Sequence, residues 1–365
     1  MPQKSIEAKR YQSAKIRLRL IDIIFVVVYL ALFQIIISNP LKTFTYSVTP
    51  NFYYAFTIYL IAFSITHYIL SFPLYFYSSF ILEHKFNLSN QHFFAWLKDG
   101  IKSGLLSFAM FLLFVHVLYL FLQNFATTWW AWMAISWFGI TVILAKVTPV
   151  LIIPLFFKYS PVEAKLKNRI IELSKACGVR LLDVYKIDLS KKTKKLNAAV
   201  VGLGRTRRVI LADTLVEEFT TDEIVGVLAH EFGHHKLRHM WKLITFGIIS
   251  IFFSFYVLYL VSSKLVILLG AKNIHDIKMF PAFMLVLFLT GFLLGPLQNA
   301  FSRKLERKAD LFALEVTQNP IAFISLMKKL ASKNLADPNP SKFVKFMFYD
   351  HPPISERIKL AENKE

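Results

Sequence analysis

Six long, predominantly apolar runs divide this chain, at residues 20–38, 53–81, 105–122, 129–157, 243–263 and 279–300. About 20 such residues wound as an α-helix cross the hydrocarbon core of a bilayer, and no soluble surface could hide six of them. With 55% hydrophobic residues overall, the bilayer is the expected solvent. The second and fourth runs contain Pro73, Pro149 and Pro154. Each of these runs is expected to kink, or to combine a crossing with a re-entrant turn. The first run follows six basic residues, as a secretory signal does, but Ser38-Asn39-Pro40 offers no small-x-small cleavage site, so it reads as a retained anchor.

Charge sets the orientation. The net charge of +20 does not interleave with aromatics, as a nucleic-acid surface would require, but collects between the apolar runs. With the N-terminus inside, 38 of the 43 Lys and Arg fall in inside segments and four in outside loops, while Lys146 lies within a crossing. The positive-inside rule therefore agrees with six helices and puts both termini on the cytoplasmic side. That means the plasma (inner) membrane in a prokaryote and the ER membrane in a eukaryote; no sorting signal chooses between them. Lys191, Lys192, Lys194 and Lys195 read as a solvated loop meeting anionic lipid, and no nucleic-acid partner is expected. The single cysteine, Cys177, permits neither an intrachain disulfide nor a cysteine metal cluster, so any metal is held by histidines and carboxylates.

The expected organisation is a four-helix membrane region at 1–157, a cytoplasmic catalytic segment at 158–242, two more crossings at 243–300 and a C-terminal catalytic segment at 301–365. The first catalytic segment reads as a helix over 162–176, a strand near 181–187 and two strands within 196–211 around Gly204-Arg205-Thr206-Arg207. Thr220 or Thr221 then caps a further helix. On that helix lies His230-Glu231-Phe232-Gly233-His234. Histidines at i and i+4 share a face and can both bind a metal, with Glu231 placed to reach a water on it.

A catalytic zinc needs a third protein ligand and an open position. The metzincin continuation is excluded, because Leu237 and Met240 stand where Gly and His would be. Directly after the sixth run, Glu306 and Asp310 are spaced i, i+4, suiting a ligand and a carboxylate that orients a ligand imidazole. In the tail, His351-Pro352-Pro353 and Arg357 supply a proton donor and a fixed cation that could approach the open position. Plainer readings stand beside these. Glu306 and Asp310 could lie on a solvated charged helix, and His351 and Arg357 could belong to a turn and short helix. His235 and His239 read as surface residues or supports of the site. His67, His116 and Lys146 either line a polar cavity or make structural hydrogen bonds, and Glu83 with His84 either packs or touches substrate.

Five segments together resemble the Ste24-type CAAX prenyl protease family of membrane gluzincins (peptidase family M48). They are Glu83 to Ser89, Asn197 to Arg208, His230 to His239, Ser302 to Asp310, and His351 to Arg357. The six-helix frame separates the chain from the shorter four-helix HtpX-type proteases. The resemblance implies an α-helical multi-pass membrane protein with a small α+β gluzincin-like zinc protease domain at the cytoplasmic edge. It implies one Zn2+ per chain on His230, His234 and Glu306, with Glu231 as base and His351 and Arg357 near the scissile carbonyl. It also implies Asn197 and Ala198 on an edge strand that pairs with substrate backbone. The expected substrate is a peptide or protein, prenylated at a C-terminal CAAX by the resemblance, or else a broader set in membrane-protein quality control. A non-enzymatic transporter or channel is the alternative of another class. Ala199 where the family has an aromatic, Asn87 where it has glycine, and His235 at an often aromatic position are this chain's departures.

Overall fold

A computed structural model describes residues 2–202 and 206–364. The expected turn at Gly204-Arg205 lies outside the described residues. Six helices are long and apolar enough to span: α1 (Ile6–Val48), α2 (Phe52–Lys85), α3 (Phe93–Asn124), α4 (Trp129–Phe156), α8 (His239–Leu268) and α9 (Phe280–Thr317). All but α4 begin or end beyond their apolar runs. The 34 residues of α2, for example, measure about 51 Å at 1.5 Å each, so its end stands clear of the bilayer. The prolines do not create re-entrant turns. Wider π turns at Phe33–Ile37, Tyr77–Ile81 and Thr148–Ile152 lie near Pro40, Pro73, Pro149 and Pro154, and the helices continue through them.

Between α4 and α8 lie β1 (Tyr159–Pro161), α5 (Ala164–Ala176), β2 (Asp183–Ile187), β3 (Ala198–Val201), β4 (Arg208–Ala212), α6 (Asp213–Glu218) and α7 (Thr221–Lys236). After α9 come α10 (Pro320–Lys333), α11 (Lys342–Phe348) and α12 (Ile354–Glu362). The sheet order is β1-β2-β4-β3, with β2 and β4 parallel and both outer strands antiparallel to their neighbours. This leaves one side of β3 unpaired among the described residues. The two soluble segments share one apolar core: Val209, Leu211, Leu228 and Phe232 pack with Ala313, Phe323 and Leu326.

The membrane helices have a second core, built around Phe33, Phe56, Tyr59, Tyr119, Trp129, Phe280 and Phe283. It occupies the end of the bundle away from the sheet. Toward the sheet the helices are separated by cavities of about 670, 980 and 410 Å³. His116 bonds Thr57 Oγ1 (3.0 Å) and its own helix at Leu112 O (2.8 Å), whereas His67 lines two of these cavities and Lys146 is exposed.

Glu83 docks the soluble part on the bundle. Its carboxylate meets Tyr11 Oη at 2.6 Å, Lys15 at 3.1 Å and Lys195 at 2.7 Å. His84 bonds Phe80 O in its own helix (2.8 Å). Beyond them Asn87 takes φ 54°, a left-handed conformation that asparagine tolerates and that explains a glycine preference there. In the lysine loop, Lys191 pairs with Asp188, Lys192 with Asp99 and Lys195 with Glu83, each at 2.7 Å.

Helix α7 starts with a capping box, in which Thr220 Oγ1 accepts from Glu223 N and the Glu223 carboxylate accepts from Thr220 N. Glu223 is buried and also accepts from Ser325 Oγ (2.6 Å) and Lys329 Nζ (2.7 Å) of α10. Burial would raise its carboxyl pKa, but Lys329, Ser325 and the Thr220 amide outweigh it and hold it below the usual 4.5. The stabilisation is therefore complete above pH 4.5 and is lost as pH falls through the depressed value. Glu223→Gln should lose about 2 kcal/mol at pH 7. Its thermal midpoint in detergent should fall less than that of the wild type between pH 5 and 3; parallel curves would contradict this account.

Candidate metal centre

The site is built where α7 crosses α9, and a glycine permits the crossing. A Cβ at Gly233 would sit 3.0 Å from Phe312 Cδ1 and 3.4 Å from the backbone of Ala309, so the two helices approach almost backbone to backbone. His230 and His234 on one face of α7 then meet Glu306 and Asp310 on α9. His230 Nε2 lies 3.1 Å from His234 Nε2 and 3.2 Å from Glu306 Oε2, and His234 Nε2 lies 3.2 Å from Glu306 Oε1. Glu306 Oε2 is buried without a hydrogen bond. Ligands about 2.0–2.1 Å from a tetrahedral ion stand roughly 3.3 Å from one another. The spacing, the donor types and the unbonded oxygen all fit a metal held by His230, His234 and Glu306.

Each imidazole is held from behind. His230 Nδ1 is 2.8 Å from Asp310 Oδ1, which fixes Nε2 toward the site. Burial disfavours a charged His230, yet the carboxylates of Asp310 and Glu306 beside it, at 2.8 and 3.2 Å, outweigh burial and hold it up at about 9. A metal entering here displaces that proton. His234 Nδ1 is 3.2 Å from Nδ1 of His239, which is fully buried. Arg238 breaks the helix with φ 57° between α7 and α8, folding His239 back beneath His234, and no motif spacing announces such a turn.

Arg357 is not at an open coordination position. Its Nε and Nη2 bond both Asp310 oxygens (2.9 and 2.5 Å), and it is 8% exposed. The cation compensates a buried carboxylate that would otherwise be costly and that also bonds His230. His351 does face the site, with Nε2 3.4 Å from Glu306 Oε2 and Nδ1 2.9 Å from Asp350. Burial would lower its pKa, but Asp350 and Glu306 raise it above its ordinary value. Helix α9 steers this segment, since Asn299 and Arg303 donate to the carbonyls of Met347 (2.8 Å) and Lys345 (3.0 Å), and Arg303 also to that of Tyr349.

On the opposite side, Glu231, His234 and His235 line the 410 Å³ cavity together with Val200 of β3. Asn197 immediately precedes this strand and its carbonyl accepts from Ala212 N (3.0 Å), while Ala198 pairs with Leu211. Burial, then the charge of Arg207, pushes His235 down to about 4. The arrangement brings a metal-donor triad, a carboxylate and an open strand edge to one place.

Residues 161–365 match the peptidase family M48. The chain belongs to this family. Residues 2–158 match the CAAX prenyl protease N-terminal region, described as five membrane helices, where this chain has four spanning helices. The uncharacterized metalloprotease YhfN of Bacillus subtilis is 31% identical over 285 residues, 77% of this chain and 67% of that protein. CAAX prenyl protease 1 of Saccharomyces cerevisiae is 31% identical over 312 residues, covering 80% and 68%. The crystal structure of S. mikatae Ste24p superposes with a TM-score of 0.88 over 99% of this chain and 90% of that one, at 24% identity, and shares the fold. This M48 protein is a membrane metalloprotease, and the transporter alternative is set aside.

The His234–His239 pair carries its own test. His239→Ala should weaken metal binding about 10- to 100-fold in chelator competition, with the thermal midpoint of the metal-free protein little changed. His239→Gln, whose side-chain oxygen can accept from Nδ1–H, should recover most of that affinity. Equal affinity in wild type and His239→Ala would remove His239 from the site.

Proposed function

We propose that this chain is a zinc endopeptidase whose site faces the cytoplasm and whose substrates are proteins bearing a prenylated C-terminal CAAX sequence. The observation carrying the chemistry is the triad of donor atoms 3.1–3.2 Å apart beside Glu231. Zinc is the metal that best suits two imidazoles and one carboxylate on a tetrahedral frame. When bound, it supplies Lewis acidity that makes water a nucleophile near neutral pH and polarises a peptide carbonyl. His230, His234 and Glu306 hold it, and Asp310, kept ionised by Arg357, fixes the tautomer of His230.

Glu231 takes the proton of the attacking water and later passes it to the leaving amine. His351, kept protonated more readily than a free imidazole, donates to the oxyanion of the tetrahedral intermediate. The substrate lies extended along the open edge of β3, from Asn197 and Ala198 to Val200, where main-chain hydrogen bonds hold the scissile bond next to Glu231. Arg357 is a positioning residue in this scheme. The names of the eukaryotic relatives support the CAAX substrate, and the distribution of basic residues supports the cytoplasmic side.

The test is metal content and proteolysis of the detergent-purified protein, with a farnesylated CAAX peptide and its unlipidated twin. Wild type should bind about one zinc per chain. Glu231→Gln should keep the metal and lose about 10³-fold in kcat, whereas Glu306→Ala should lose the metal as well. Equal cleavage of the two peptides would transfer the substrate reading to broad quality control, and undiminished activity in Glu231→Gln would end the proposed mechanism.

A further inference from the structure

The 410 Å³ cavity beside Glu231 and His234 has its remaining walls in the membrane region. They are Phe138 and Thr141 of α4 and an apolar face of α8 running from Met240 to Ile251. Thr141 returns its hydroxyl to Trp137 O (2.9 Å), so away from the metal centre these side chains offer no free polar group. Eleven helical steps from Met240 to Ile251 give a depth of about 16 Å, more than any genetically encoded side chain spans. One wall is missing a side chain altogether. A Cβ added to Gly247 would meet no atom within 4 Å, so the face of α8 that lines the cavity opens onto space there.

The cavity also receives Val200 from the free-edged strand β3. Side chains of a peptide paired with that edge alternate between the two faces of the sheet, so one beside the scissile bond can turn into the space between α4 and α8. We infer that this cavity is a subsite for a long hydrocarbon chain carried on a substrate side chain next to the scissile bond. The inference rests on the peptidase reading above and deepens it by assigning the lipid a place. Its position, with one end at Glu231 and the other between two spanning helices, lets a chain enter from the bilayer without crossing polar surface.

A rival space exists. The cavity of about 980 Å³ between α1, α2, α3 and α9 is apolar as well, lined by Phe63, Phe108 and Phe111, but no residue of the metal centre is in its wall. Gly104 lies in that wall and, like Gly247, has no atom within 4 Å of an added Cβ. The two cavities can therefore be filled separately without forcing backbone apart.

The experiment compares the zinc-loaded full chain with its Gly247→Leu and Gly104→Leu variants, on the farnesylated peptide and its unlipidated twin. The readout is the ratio of kcat/KM between the two peptides, with bound zinc and thermal midpoint measured alongside. Gly247→Leu should retain zinc while the lipidated-to-unlipidated ratio falls about tenfold or more, and Gly104→Leu should leave the ratio as in wild type. An unchanged ratio in Gly247→Leu, or a fall in Gly104→Leu instead, overturns the assignment while leaving the peptidase reading intact. A wild-type ratio near one overturns it too, because no chain is then being recognised. Wild-type protein that binds zinc and cleaves neither peptide overturns both readings together.

Discussion

Everything at the metal centre depends on how closely two helices approach. Side chains of ordinary size hold helix axes 8–10 Å apart, and the short carboxylate arms of Glu306 and Asp310 must then find two imidazoles across the gap. Gly233 on α7 and Ala309 on α9 narrow that gap, and they fall one residue before His234 and one before Asp310. The small residues and the metal-binding residues are therefore one device: the first set fixes the separation at which the second can share an ion. The capping box of α7 and its bond to α10 fix the same helix from its other end, so that its register against α9 does not drift.

A second constraint is the split between two apolar cores in two solvents. The outer end of the bundle is tightly filled with aromatic rings, and the soluble core is filled with aliphatic side chains from both halves of the catalytic part. Between them the helices diverge, and the parts are tied together by a small apolar cluster of Ala8, Tyr11, Leu82, Leu88 and Leu335 and by polar contacts of Glu83 with Tyr11, Lys15 and Lys195. Polar fastening at this level is physically reasonable, since the groups lie where the membrane ends and water can solvate whatever is left unpaired.

What could be read in advance was whatever depends on local periodicity. Hydropathy located six spans, and i, i+4 spacing singled out His230 with His234 and Glu306 with Asp310. Three of the four strands and the helix carrying the histidines also followed from local pattern, whereas the three-residue β1 is too short to show one. Except for α4, the ends of the spans did not follow from it: those helices extend past the apolar runs because helix propensity continues where hydrophobicity stops, and the helices continue through π turns near prolines that local pattern treats as breaks. Contacts between distant segments were the least legible. Arg357 was read as facing a transition state because it is cationic and near His351 in sequence, yet the buried carboxylate of Asp310 claims it. The acidic partners of Lys192 and Lys195, Asp99 and Glu83, lie about a hundred residues away, so no local pattern shows those pairs. His239 was placed by a left-handed residue at Arg238, a conformation that arginine does not advertise.

Helix α9 runs unbroken for 38 residues, from the packed aromatic end of the bundle to beyond Asp310. The two imidazoles, by contrast, belong to a helix that is separated from its neighbouring span by the break at Arg238. One carboxylate is thus mounted on a helix continuous with a membrane span, and its two partners on a helix set off from its span by a left-handed residue. A metal shared by the three donors would therefore join two helices, only one of which runs on into the membrane without a break.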